Sequence, residues 1–190
     1  SDPFADSGAT SDPEAFDELT GAASRRRFDR TLVAAFEQAR SGDAPLSVAL
    51  FDIDDLERIS KDYGEDAGDT VLIALASRIA RAYGDVRPLV CRYSDRTFGV
   101  VMPRTDRFTA VRLTETARQL IAKQPVKIIA GKIGTPPELS VTTSVGLAAI
   151  DSELADRFDD PGAFTEIAEK AMLAAQRAGR NSMRVYAPAA

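Results

Sequence analysis

Histidine is absent from the 190-residue sequence, and cysteine occurs only once. Without histidine, the chain can form neither a Ser-His-Asp triad nor a zinc site of the Cys/His type, and imidazole acid–base catalysis is excluded. The single Cys91 stands in an apolar stretch and has no partner for an internal disulfide. We therefore expect a buried structural thiol, which suits the reducing cytoplasm.

Long apolar runs and an excess of positive charge are also lacking. No stretch approaches the ~20 apolar residues of a transmembrane helix, and the amino terminus has no signal-peptide pattern, so the sequence predicts a cytoplasmic location and no membrane segment. Lys and Arg number 24 against 29 Asp and Glu, a formal charge of −5. Nucleic acid is a disfavoured partner because a phosphate backbone needs a basic stripe, whereas a single nucleotide needs only local donors.

What is present is the composition of an ordinary globular protein, with 44% apolar residues. The length allows one domain with a sizeable core. Residues 1–14 are rich in Ser, Asp, Pro and Gly, which predicts a flexible lead or an interdomain linker. We expect residues 15–190 to form the domain.

The stretch 89–103 predicts the central feature of this domain, a β-hairpin. Two apolar runs flank the polar residues 94–97, and alternation places one face of each strand in the core. The polar residues then form the tip, which projects from the core.

Hydrophobic periodicity predicts the elements around this hairpin. Ser24 can cap a helix that carries Phe28, Leu32, Val33 and Phe36 on one stripe. The remaining patterns predict a strand over 46–54, a helix after Gly64, a helix over 109–122, strands over 126–130 and 139–150, and a last helix that ends at Gly179.

Carboxylates end the predicted strand 46–54. Asp52 and Asp54 are two residues apart and would share one face of the strand, with Asp55 in the following turn. Such oxygen ligands at a strand end can hold Mg²⁺ against a nucleotide phosphate. A solvated acidic turn that caps a helix explains the same pattern equally well.

Five blocks in this order resemble the GGDEF family of diguanylate cyclases, from about residue 17 to residue 186. One block is the hairpin, and two others are residues 140–146 and 168–181. In the block that leads into the first helix, the matching residues are Asp17, Leu19, Thr20, Gly21, Arg25 and Arg26. In the block that begins at the end of the strand 46–54, they are Asp52, Ile53, Asp54, Tyr63, Gly64, Gly68 and Asp69. The resemblance implies an α/β (α+β) fold of the nucleotide cyclase type. Its central sheet would be ferredoxin-like and mostly antiparallel, with helices on both sides.

The hairpin tip departs from the family pattern. Where the family has two glycines and two acidic residues before a phenylalanine, this chain has Ser94, Asp95, Arg96, Thr97 and Phe98. In the family, the acidic pair and the first strand-end aspartate hold two magnesium ions that activate GTP. The resemblance therefore implies no catalytic residues here and only a vestigial metal position at Asp52 and Ile53.

The nucleotide and product sites that the resemblance implies are also incomplete. Ser60 stands in place of a guanine-binding Asn, and Glu57 and Gln176 replace phosphate-facing lysines. What remains for a nucleotide is Ser60 itself, Asp69, Arg180 and the backbone amides near Asp55 and Leu56. The family's inhibitory Arg-x-x-Asp motif is replaced by residues 85–88, Asp-Val-Arg-Pro.

These departures favour a catalytically inactive GGDEF-like domain that acts as a regulatory or protein-interaction module in bacterial cyclic di-GMP-type signalling. The alternatives are an active diguanylate cyclase with ligands rearranged among Asp52, Asp54 and Asp95, or a GTP-binding sensor without turnover. We expect no cofactor, and Mg²⁺ only where nucleotide binding is retained. The expected partners are another protein or sibling domains of a larger signalling protein, a second copy of the chain, and GTP with weak affinity.

Arg96 has two explanations at this stage. Two aspartates stripped of their cation would repel each other, so Arg96 can form an ion pair with Asp52 or Asp54 and take the structural place of the metal. Alternatively, Arg96 points into solvent from an exposed turn.

Overall fold

The computed structural model describes residues 15–128, 137–151 and 158–186. The strands are β1 (Leu46–Ile53), β2 (Leu89–Arg92), β3 (Thr97–Pro103), β4 (Val126–Lys127), β5 (Glu138–Leu139), β6 (Thr143–Ile150) and β7 (Met183–Val185). The helices are α1 (Arg25–Arg40), α2 (Leu56–Tyr63), α3 (Glu65–Ala82), α4 (Arg107–Lys123) and α5 (Pro161–Arg177). In the described ranges, no helix is long and apolar enough to cross a membrane.

Five strands form the central sheet in the order β2-β3-β1-β6-β7. β7 runs parallel to β6, and every other neighbouring pair is antiparallel. The order of β2, β3, β1 and β6, with helices in the crossovers, is that of a ferredoxin-like βαββαβ unit. The predicted ferredoxin-like, mostly antiparallel sheet with flanking helices is therefore confirmed.

Both faces of the sheet are buried, and β1 lies at its centre. Leu46, Val48 and Leu50 belong to a core with α1 and α5, whereas Phe51 and Ile53 belong to a second core with α2, α3 and α4. A strand covered on both faces is a nearly continuous apolar run, as β1 is in the sequence. The polar residues that end β1 are therefore exceptions that need partners.

The predicted hairpin and first helix are present. β2 and β3 pair across the tip, and the Ser24 hydroxyl accepts a hydrogen bond from the Arg27 amide at 3.3 Å. The prediction for Val33 is wrong, because its side chain is 51% exposed. The sheet covers only the stripe of α1 that contains Phe28, Leu32 and Phe36, and Val33 lies beside it.

Three other predictions need correction or lie outside the described residues. The predicted strand 139–150 is interrupted at 140–142, because β5 pairs with β4 in a separate two-stranded sheet while β6 pairs with β1. The predicted strand 126–130 is a strand only at 126–127, and residues 129 and 130 are not described. Residues 1–14, the predicted lead, are also outside the described ranges.

Helix α5 lies directly on β6 at Gly146. A Cβ atom at that position would stand 2.0 Å from the Ala168 carbonyl oxygen and 2.3 Å from the Met172 nitrogen. Real Cβ atoms do not approach backbone atoms this closely, so the side-chain hydrogen of glycine sets the distance between helix and sheet. The carboxyl end of α5, which reaches the candidate site, takes its position from this contact.

We expect Gly146→Ala to lower the free energy of unfolding by about 3 kcal/mol or more, because the methyl group forces the helix backbone off the sheet. Urea denaturation measures the loss. Leu173→Ala is the control on the exposed side of the same helix, where the change should stay within about 0.5 kcal/mol. Equal effects of the two substitutions would contradict this packing.

Candidate functional site

The candidate site lies where β1 ends beside the hairpin. Asp52, the next-to-last residue of β1, pairs with Thr97 of β3 on one side and with Ser144 of β6 on the other. Its side chain is 6% exposed. The carboxylate is therefore placed in the middle of the sheet edge, where it must find its partners within the protein.

Three side chains supply those partners. Arg96 Nε lies 3.2 Å from Asp52 Oδ2, and Thr97 Oγ1 donates a hydrogen bond to the same oxygen at 3.1 Å. The side chain of Gln176, in the last turn of α5, is also hydrogen-bonded to Asp52. Burial nevertheless raises the pKa of the Asp52 carboxyl, and this outweighs the lowering by Arg96, Thr97 and Gln176.

All three partners are residues at which the sequence departs from the GGDEF pattern. Of the two explanations for Arg96, the ion pair is confirmed, and its partner is Asp52 rather than Asp54. The contact joins one guanidinium nitrogen to one carboxylate oxygen, and 46% of the Arg96 side chain remains exposed. Two positions of the hairpin and one of α5 thus converge on one buried carboxylate.

Asp54 has a different role from Asp52. Its carboxylate accepts hydrogen bonds from the hydroxyls of Thr142 at 2.6 Å and Ser144 at 2.7 Å, and from the Asn181 amide at 3.1 Å. It thereby ties β1 to β6 and to the turn after α5. Sequence reasoning missed these partners, although Thr142 and Ser144 are two residues apart at the start of a predicted strand and could have indicated a polar patch on one face.

The candidate nucleotide residues fall into two groups. Arg180 Nη1 lies 2.7 Å from Asp55 Oδ1, and both residues have left-handed backbone conformations, with φ of 64° and 59°. A Cβ atom at Gly68, the residue before exposed Asp69, would lie 2.3 Å from the Ser60 hydroxyl and 3.9 Å from a Leu56 methyl. The structure therefore brings Leu56 and Ser60 against α3 near Asp69, and it pairs Arg180 with an aspartate.

Internal hydrogen bonds close the hairpin tip. The Arg92 guanidinium donates hydrogen bonds to the carbonyl oxygens of Ser94 (2.6 Å) and Asp95. The backbone amides of Tyr93 and Ser94 both donate to the carbonyl oxygen of Thr97. No residue of the tip has a positive φ. Ser94 and Asp95 therefore occupy the family's glycine positions without backbone strain, and both are exposed.

The residues at Asp52 and Ile53 do not fit a magnesium ion. In nucleotide sites Mg²⁺ is usually held by one or two carboxylates together with phosphate and water oxygens, and the hairpin side chains that contact Asp52 are a guanidinium and a hydroxyl instead of carboxylates. At an effective dielectric of 20, a unit positive charge about 4 Å from a divalent ion costs roughly 8 kcal/mol. Arg96 is close enough to Asp52 to impose a cost of this kind.

Comparison with known proteins agrees with the fold and the motifs. Residues 14–182 match the family model described as diguanylate cyclase, GGDEF domain. This chain belongs to the GGDEF family.

Two similar proteins come from Caulobacter. The response regulator PleD of Caulobacter vibrioides is 34% identical over 169 residues, which is 88% of this chain and 35% of PleD. The chain thus spans about a third of that relative. The GGDEF domain of DgcB from Caulobacter crescentus, solved in complex with c-di-GMP, superposes with a TM-score of 0.80 at 26% identity, covering 94% of this chain and 97% of that one.

A third similar structure contains a protein partner. It is the diguanylate cyclase SiaD from Pseudomonas aeruginosa in complex with its activator SiaC. SiaD superposes with a TM-score of 0.74 at 26% identity, over 92% of this chain and 63% of SiaD.

We predict that Arg96→Ala lowers the free energy of unfolding by about 1 kcal/mol, because it leaves the buried Asp52 carboxylate without its cation. Urea denaturation of a double-mutant cycle tests this. In an Asp52→Asn background the same substitution should have almost no effect. Added Mg²⁺ should restore part of the loss in the single Arg96→Ala variant and do little to the parent. Equal losses in both backgrounds would contradict the ion pair.

The pH dependence of Asp52→Asn supplies a second measurement on the same variants. The pKa of Asp52 is raised in the folded state, so the folded protein favours the protonated carboxyl. The stabilisation by this carboxyl is complete below its pKa in the unfolded chain and is lost as the pH rises through its pKa in the folded protein. We expect Asp52→Asn to unfold at higher urea than the parent at pH 7. That advantage should disappear at a pH below the ordinary carboxyl range.

Proposed function

We propose that this GGDEF domain does not convert GTP into c-di-GMP and acts instead as a regulatory or protein-interaction module in c-di-GMP signalling. One observation carries the proposal. The residues at the family's acidic pair, Arg96 and Thr97, both bond to Asp52, the strand-end aspartate that would otherwise bind metal. The Asp52 carboxylate, which a metal ion would need as a ligand, already contacts a guanidinium and two neutral hydrogen-bond donors.

The phosphate side of the site supports the same proposal. Arg180, a cation that could meet a nucleotide, is paired with Asp55 at 2.7 Å. Nucleotide binding there would have to break this pair. Ser60 and Asp69 remain accessible in part, so a GTP sensor without turnover is the second candidate function.

An active cyclase with rearranged ligands has less support. Of the three carboxylates that could rebuild a metal site, Asp54 already accepts hydrogen bonds on both oxygens from Thr142, Ser144 and Asn181. Asp95 is exposed at the tip, and Asp52 has Arg96 beside it. The SiaD–SiaC complex supports the interaction part of the proposal, because a similar protein, a diguanylate cyclase, binds a separate activator protein.

We expect no c-di-GMP when the purified protein is incubated with GTP and Mg²⁺, because the metal ligands are replaced. Chromatography measures the product, and calorimetry under the same conditions measures GTP binding. Heat of binding without product would favour the sensor. Product that disappears in an Asp52→Ala variant would falsify the proposal.

We also expect no c-di-GMP binding at the position of the family's inhibitory motif. Val86 ends a 3-10 turn and Arg87 follows it with a left-handed φ of 48°, while Asp85 and Pro88 stand where the motif has Arg and Asp. Calorimetry with c-di-GMP checks this. Micromolar binding that is lost in both Arg87→Ala and Arg92→Ala variants would show that a shifted site exists.

A further inference from the structure

A cleft of about 510 Å³ lies behind the hairpin tip, between α1 and the first half of α5. Its walls are Arg25, Asp29, Leu32 and Val33 from α1, Tyr93 from the hairpin, and Pro161, Gly162, Thr165, Glu166 and Glu169 from α5. The volume falls in the range of ligand-binding clefts. The cleft is separate from the Asp52 site, since Gln176 lies two helical turns beyond Glu169, roughly 10 Å along α5.

The floor and rim of the cleft are apolar. Leu32 is buried at the bottom, and Val33 is 51% exposed, although the sequence pattern assigns it to the core stripe of α1. The ring of Tyr93 forms a further wall. An exposed aliphatic side chain next to an aromatic ring offers a surface that gains free energy when another apolar group covers it.

The charge of the cleft is negative. Asp29, Glu166 and Glu169 line it against one cation, Arg25. That guanidinium is already engaged, because its Nε lies 3.0 Å from Asp29 Oδ1 and its carbon lies 3.7 Å from the centre of the Tyr93 ring. Glu169 accepts the Tyr93 hydroxyl through Oε1 at 2.6 Å, and Lys170 pairs with Oε1 of Glu166 at 2.8 Å. Each carboxylate has a second oxygen with acceptor capacity.

We propose that this cleft docks a peptide segment of a partner protein that carries an arginine or lysine next to an aliphatic residue. The basic side chain meets the carboxylates of α1 and α5, and the aliphatic one covers Val33 and Tyr93. This inference rests on the proposed interaction function and names the chemistry of its partner. Three carboxylates, of which Arg25 pairs with one and Lys170 with another, leave the cleft with a net negative charge, and this charge selects a basic segment over an acidic one.

The docked segment would act close to the candidate site. Arg25 Nη1 donates to the Tyr93 carbonyl at 3.4 Å, and Tyr93 directly precedes the tip residue Ser94. Glu169 holds the Tyr93 hydroxyl from the helix that also supplies Gln176. A peptide in the cleft would therefore contact both the hairpin and α5, the two elements whose side chains hold Asp52.

A displayed library of random 12-residue peptides tests the proposal on the full chain. Selection on the parent protein should enrich sequences with a basic residue beside an aliphatic one. Binding of the enriched peptides should fall at least tenfold in Val33→Lys and in Glu166→Lys. Two matched controls on the other side of the domain, Ile73→Lys and Asp62→Lys, should bind within twofold of the parent. Ile73 is 46% exposed, close to the exposure of Val33.

Thermal unfolding confirms that all four variants are folded before binding is compared. No enrichment, enrichment of acidic peptides, or equal binding by the cleft and control variants would overturn the inference. Sedimentation velocity tests whether a second copy of the chain occupies the cleft instead. If the parent is a dimer and Val33→Lys is a monomer, the cleft is a dimer interface and the peptide-docking inference is overturned. GTP turnover is measured in a separate experiment. If the peptide selection fails and no c-di-GMP is formed, the docking inference is overturned while the proposed lack of cyclase activity stands.

Discussion

One buried carboxylate sets the main constraint on this structure. Asp52 lies at the end of the central strand, between β3 and β6, and burial alone penalises its charge. A carboxylate in such a position needs a cation or several donors. Here a guanidinium, a hydroxyl and an amide supply them, and the three come from residues that differ from the family pattern. The three contacts join Asp52 to the hairpin and to α5.

The geometry of the site depends on core packing at a distance. Gly146 lets α5 lie against β6, the last turn of that helix carries Gln176, and the turn that follows carries Arg180 and Asn181. These residues bond to Asp52, Asp55 and Asp54 in that order. The acidic end of β1 is therefore contacted by the last turn of α5 and by the turn after it, and Gly146 sets the distance of α5 from the sheet. Movement of α5 would disturb all three contacts together.

The same helix connects the Asp52 site to the acidic cleft. Glu169 faces the cleft, and Gln176 reaches Asp52 from the last turn. Tyr93 provides a second connection, because it bonds to Glu169 and adjoins the tip that contains Arg96. The cleft and the Asp52 site therefore lie on shared elements, α5 and the β2–β3 hairpin.

The sequence alone determined the family and the order of the elements. It could do so because hydrophobic periodicity and motif spacing are local properties of the chain. It offered an ion pair of Arg96 with an aspartate as one of two explanations, and within that explanation it left Asp52 and Asp54 as equal partners. Only the tertiary structure distinguished them, since the hydroxyls that bond to Asp54 lie at the start of β6 and on the residue just before it, about 90 residues away along the chain. The convergence of Gln176 on Asp52, the pairing of Arg180 with Asp55 and the exposure of Val33 were likewise decided by how α5 and α1 pack on the sheet. Such contacts join residues distant in sequence, and local patterns do not record them.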